Sequence, residues 1–134
     1  YYGSNMYEMS QLVRFREHNW TVFHGMDEQA ALGILYGAHG VIGSSLNFMP
    51  GAYRKIIDHL SAGEINPAMQ IQRKVNAVIE MMIVNGFVGS MRAIMGWIGM
   101  PCGQPRLPNL PLRTEETTLR AQLESAGLFE LIAL

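Results

Sequence analysis

The sequence predicts an α/β chain with the rhythm of a β/α barrel, followed by helices alone. Two short strand-like runs, residues 20–23 and 40–44, carry this reading, because each leads into a small or acidic polar cluster. The first cluster is Gly25-Met26-Asp27-Glu28 and the second is Gly43-Ser44. A helical stretch from Glu28 to about Tyr36 joins the two runs. Neither run alternates polar and apolar residues, as expected of parallel strands covered on both faces. In a β/α barrel the chemistry sits at the carboxyl ends of the strands, so both clusters are candidate site residues.

In chain order, Asn5 is placed to cap a helix from Met6 to about His18, with Met9, Leu12, Val13 and Phe15 on its apolar side. Residues 20–23, rich in aromatic and β-branched side chains, form the first buried strand. Asp27 can cap the next helix, and Gly37 stops it. After Ser45 only helices are expected. Pro50 to Ala62 carries Tyr53, Ile56, Ile57 and Leu60 at helical spacing, and Gly63 ends it. Asn66-Pro67 reads as a helix start, with Ile71, Val75, Val78, Ile79 and Met82 along one stripe as far as Asn85. Gly86 separates this helix from a run over 87–100. Residues 101–111 are a proline-rich crossing. Thr114 caps a last helix with Glu115 and Glu116 in its first turn, an inner face of Leu119, Leu123 and Ala126, and Gly127 at its end.

The chain has 134 residues, 49% of them hydrophobic and 16% charged, with a net charge of −1. It can bury a core and offers no electrostatic basis for binding nucleic acid or anionic membrane. No basic-then-apolar leader opens it and no apolar run approaches ~18 residues, so a cytoplasmic protein is expected. The single cysteine, Cys102, excludes an internal disulfide and reads as a small, partly buried apolar side chain. Two parallel strands do not make a stable sheet by themselves. Residues 1–62 are therefore expected to need a larger partner, and residues 63–134 to form a helical extension.

Among residues that could carry chemistry, Gly25 lets a ligand approach the backbone, while Asp27 and Glu28 can accept hydrogen bonds from hydroxyl groups. The same two carboxylates also fit a cap and a first-turn partner of the helix dipole. Gly43 and Ser44 either contact a ligand or only make a tight turn. Gly37-x-x-Gly40-x-x-Gly43 runs from helix to strand, the reverse of a dinucleotide fingerprint. His18 ends a helix, His24 and His39 flank strands, and His59 reads as solvated. No pair has metal-ligand spacing, so no metal site is expected. Met81, Met82, Met91, Met95, Met100, Phe87 and Trp97 read as packing or subunit contacts. Lys55 and Lys74 lie in charged, solvated helical patches, where neither is desolvated as a Schiff-base amine must be.

Several motifs resemble one family, the lyases and synthases typified by N-acetylneuraminate lyase and dihydrodipicolinate synthase. Tyr1-Tyr2-Gly3-Ser4-Asn5-Met6-Tyr7 resembles the sequence that follows the family's catalytic lysine. Gly25-Met26-Asp27-Glu28 resembles the Gly-aromatic-Asp-Glu cluster of the sialic-acid lyases. Residues 37–44 are similar to the family's strand-eight motif, and Ser44-Ser45-Leu46-Asn47 to its lyase version. Residues 100–108 resemble the crossing before the last helix.

The resemblance implies the C-terminal part of a (β/α)8 TIM barrel, residues 1–62, followed by a helical extension, residues 63–134, in a protein that is usually a homotetramer. It implies a class I aldolase that cleaves N-acetylneuraminate or a related sugar acid to pyruvate and an aldehyde. No separate cofactor is involved, because the 2-oxo acid is held as a covalent Schiff base. The lysine is expected immediately before Tyr1, in a longer protein whose upstream half also carries the family's tyrosine proton shuttle and pyruvate-carboxylate loop. This piece alone is then inactive. By matching position, Gly25, Asp27, Glu28 and Ser44 would bind the polyhydroxylated tail, and Ile42 would form wall beside the Schiff base. Tyr2 stands where sialic-acid lyases usually have threonine. The alternatives are a synthase or other pyruvate-dependent aldolase of the same family, or a non-enzymatic helical interaction module.

Overall fold

A computed structural model describes residues 1–15 and 19–134. The expected end of the first helix at His18 lies outside the described residues. Helix α1, Met6–Arg14, is capped as the sequence implies: Asn5 Oδ1 accepts from the backbone N–H groups of Tyr7 and Glu8 at 3.1 and 3.4 Å. Strand β1, Phe23–His24, pairs in parallel with β2, Gly40–Val41, in the register Phe23 to Gly40 and His24 to Val41. Tyr1 extends this sheet. Its amino group donates to Phe23 O at 2.6 Å, and Gly25 N donates to Tyr1 O at 2.8 Å, so Tyr1 lies beside His24 in a parallel sense.

Between the strands, a 3-10 turn, Asp27–Gln29, leads into α2, Ala30–Leu35. Gly37, at φ +95°, ends α2 by letting Gly37 N reach Ile34 O and Ala38 N reach Gly33 O, both at 2.9 Å. A second 3-10 turn, Ser45–Asn47, precedes α3, Pro50–Ser61. Gly63, at φ +78°, closes α3 in the same way, with Glu64 N on His59 O at 2.8 Å. That closure is so short that α4, Ile65–Asn85, begins before Asn66 can cap it. Asn66 and Pro67 lie inside the first turn, where a missing N–H is harmless.

The remaining helices are α5, Phe87–Trp97, α6, Glu116–Ser125, and α7, Leu128–Ile132. Thr114 does not cap α6, because the boundary residue is Glu115 and makes no side-chain cap bond. Gly127 does not end the chain's helical part but turns it, at φ +89°, into the unanticipated α7. Leu128 and Leu131 of that short helix are fully buried. Central α4 packs against α2, α3, α5, α6 and α7, and its Val75, Val78, Ile79 and Met82 are buried as the stripe implies. Among the described residues no single helix is long and apolar enough to cross a membrane.

One face of the sheet is covered by helices and the other is open. Phe23 is 45% exposed and Ile42 66%, whereas His24 on the opposite face is fully buried. Of the two covered faces expected, the described residues supply one. Leu12, Phe15 and Trp20 are also exposed, and with Tyr1 they line one apolar hollow. Cys102 is exposed, not partly buried, because the crossing that carries it lies on the surface. Met100, in the same crossing, is also exposed.

His24 packs between the Tyr1 ring, with ring centroids 6.2 Å apart, and Gly33 of α2. Among the described residues neither of its ring nitrogens has a hydrogen-bond partner. Burial pushes this imidazole below its ordinary 6.5. The unfolded chain then takes up the proton first as pH falls, so stability is full above 6.5 and declines below it. In the full-length protein, the urea midpoint should drop between about pH 7.5 and about pH 5.5, and His24→Leu should flatten that drop.

Candidate functional site

The loop after β1 and the loop after β2 meet at the carboxyl end of the strands. Asp27 is only 8% exposed. Its Oδ2 accepts from Ser45 N at 2.8 Å and from Ser45 Oγ at 2.6 Å. Because Ser45 Oγ donates its proton to Asp27, the Tyr53 hydroxyl, 2.5 Å away, is the donor to Ser45. Burial pushes the Tyr53 phenol well above its ordinary value, which keeps that proton in place. The Asp27 side chain makes no cap bond to the helix that follows. The carboxylate has turned instead to the second loop, where charge-assisted bonds to Ser45 outweigh a surface cap.

The other carboxylate oxygen, Oδ1, lies against Gly43, where a Cβ atom would stand 1.3 Å from it. Absence of a side chain at Gly43 is what allows the two loops to close. Beside them is a small cavity of about 130 Å3. Tyr2, Gly25, Asp27, Glu28 and Ser44 all line it, and Gly43, Ile79 and Phe87 complete it. Five of the six residues singled out in the sequence thus converge. Ile42 does not line this cavity; its side chain is exposed, and its backbone N–H donates to His24 O at 3.0 Å.

Sequence reasoning missed Ser45, Tyr53, Gln72 and Asn76. Gln72 was legible in principle, as a polar side chain within the apolar stripe of α4. A roomier cavity, about 510 Å3, lies between α5 and the crossing segment. Its Arg92 is already tied to the carbonyl oxygens of Cys102 and Gly103. The other polar candidates lie away from the small cavity. Lys55 is exposed, Lys74 pairs with Glu130 at 2.9 Å, and neither lines the small cavity. His59 is not simply solvated, for its Nδ1 meets Glu64 Oε2 at 2.6 Å. Among the described residues no three His, Cys, Asp or Glu are placed to hold a metal ion.

Parallel strands, helices on one face and an acidic and hydroxyl cluster at the strand ends fit part of a β/α barrel. The profile of the dihydrodipicolinate synthetase family matches residues 3–126, and the chain belongs to that family. An N-acetylneuraminate lyase of Rhizobium meliloti is 32% identical over 125 residues, which are 93% of this chain and 41% of that protein. An Escherichia coli N-acetylneuraminate lyase is 34% identical over 97 residues, 72% of this chain and 32% of that protein. The solved N-acetylneuraminate lyase of Proteus mirabilis superposes with a TM-score of 0.85 at 26% identity, covering 94% of this chain and 43% of its own. A 2-keto-3-deoxygluconate aldolase of Sulfolobus sulfataricus superposes with a TM-score of 0.83 at 26% identity, covering 97% of this chain and 45% of its own. The chain therefore spans less than half the length of these relatives.

Proposed function

We propose that this chain is the C-terminal part of a class I, Schiff-base lyase that cleaves N-acetylneuraminate or a related sugar acid to pyruvate and an aldehyde. The observation that carries the reading is the convergence of Gly25, Asp27, Glu28 and Ser44 around one cavity at the strand ends. The names of the lyases it resembles point the same way. In this reading a lysine amine condenses with the 2-oxo carbonyl and releases water. The resulting iminium accepts the electron pair of the breaking carbon–carbon bond, and the enamine is then protonated and hydrolysed to pyruvate.

The lysine is assigned to the residue immediately before Tyr1 in the full-length protein. Strand geometry supports this. Tyr1 shares the helix-covered face with His24, so alternation would turn both Tyr2 and a residue before Tyr1 toward the open face, with Phe23 and Ile42. That open face, and the unpaired edges of the sheet, are assigned to the upstream half of the same barrel. Glu28 is the readier of the two carboxylates to bind hydroxyls, since Asp27 Oδ2 is already bonded to Ser45. No separate cofactor is called for, and a homotetramer is the assembly proposed.

The test is the Glu28→Ala variant of the full-length protein, which should raise KM for a polyhydroxylated sugar acid about tenfold or more. Pyruvate should still form its adduct. An unchanged KM would argue against this tail-binding assignment. The Sulfolobus likeness favours a second reading, an aldolase of the same family acting on a different sugar acid, with the Tyr2 ring at the cavity altering the space for the tail. Family membership weighs against a purely non-enzymatic helical module.

A further inference from the structure

The loop that presents Asp27 and Glu28 is held from below by two amides of α4. Gln72 is only 2% exposed. Its Nε2 donates to Asp27 O at 3.0 Å, and its Oε1 accepts from Ala31 N at 2.8 Å. Gln72 Nε2 also donates to Asn76 Oδ1 at 2.8 Å, and Asn76 Nδ2 donates to Glu28 O at 3.1 Å. One helical turn apart, the two side chains form a single clamp on three backbone groups: the carbonyls of Asp27 and Glu28 and the N–H of Ala31 in α2. Each contact spans more than forty residues of chain, from the helical extension to the barrel strand ends.

A buried amide on a helix stripe shared with Ala68 and Val75 is costly unless its donors and acceptor are all paired, and here they are. Helix α4 also reaches the cavity itself through Ile79, one turn beyond Asn76. A shift of the loop relative to α4 would therefore move the carboxylates relative to the rest of the lining. We infer that Gln72 and Asn76 are positioning residues for sugar-tail specificity, by which the C-terminal helical extension sets the placement of Glu28 and Asp27. This inference rests on the lyase reading above. It assigns to the extension a part in substrate selection as well as in packing.

The test uses the full-length protein and separates tail binding from Schiff-base chemistry. Exchange of the pyruvate methyl protons with deuterated water reads the iminium without any tail, whereas sugar-acid cleavage needs the tail in place. Gln72→Met should raise KM for the sugar acid about tenfold and leave both kcat and pyruvate exchange within about threefold of the parent. Asn76→Ala, at a half-buried position, should raise the same KM by about threefold to fivefold, and it carries the test alone if Gln72→Met does not fold. A KM unchanged in the folded variants overturns the inference, as does a parallel fall in cleavage and exchange. If the parent protein exchanges no pyruvate protons, the lyase reading itself fails, and the inference with it.

Discussion

Gly43→Ala in the full-length protein is expected to lower kcat/KM for the sugar acid by about a hundredfold or more, the scale of an ångström-sized displacement of a binding group. The reason is local. A Cβ at position 43 would overlap Asp27 Oδ1 at 1.3 Å and Asp27 Cγ at 2.4 Å. Asp27 cannot simply swing aside, because its other oxygen is held by both the N–H and the hydroxyl of Ser45. Moving it leaves a buried Ser45 N–H without its partner and breaks the relay to Tyr53. Overpacking and the lost charge-assisted bonds together imply a stability loss of about 2–4 kcal/mol. Steady-state kinetics and urea unfolding would check the two effects, and a variant within tenfold of the parent in kcat/KM would refute the role assigned to Gly43.

Gly33→Ala should destabilise the protein by about 2 kcal/mol even though alanine is the better helix former by about 1 kcal/mol. A Cβ at Gly33 would lie 2.5 Å from both Cβ and Cγ of His24. His24 Cβ is tied directly to the β1 backbone, so relief requires α2 to move away from the sheet. Steric displacement between two buried elements outweighs the helix-propensity gain. Because α2 begins at the Asp27–Gln29 turn, KM for the sugar acid should rise as well. An unfolding midpoint equal to or above that of the parent would show that the helix-to-strand contact is less tight than the geometry implies.

What the sequence reveals of this fold is its punctuation. Gly37, Gly63 and Gly86 all adopt positive φ where a helical pattern stops, because only glycine takes that conformation without strain. Asn5 caps as its side chain suggests. Expected caps at Asp27, Asn66 and Thr114 fail because tertiary or neighbouring demands win. Asp27 is drawn to Ser45, α4 starts early after the tight Gly63 turn, and α6 begins at Glu116. The apolar run at Trp20 to Phe23 reads as buried because a sequence pattern does not say which segment supplies the cover.

The site was legible to a comparable degree. Local clusters at the strand ends identify Gly25, Asp27, Glu28 and Ser44, with Tyr2 placed by resemblance, and all five meet at one cavity. The side chains that hold them in place were not legible. Tyr53 acts through Ser45, and Gln72 reaches Asp27 across 45 positions, so no local spacing encodes either contact. Ile42, placed by its position in a motif as wall beside the Schiff base, lies on the open sheet face, the face to which the lysine is assigned.

The most direct test of the central claim is borohydride reduction of the full-length protein in the presence of pyruvate, followed by peptide mapping of the adduct. The account predicts one stable modification, on the amine of a lysine immediately before Tyr1. A modification at Lys55, Lys74 or elsewhere, or none at all, would contradict it.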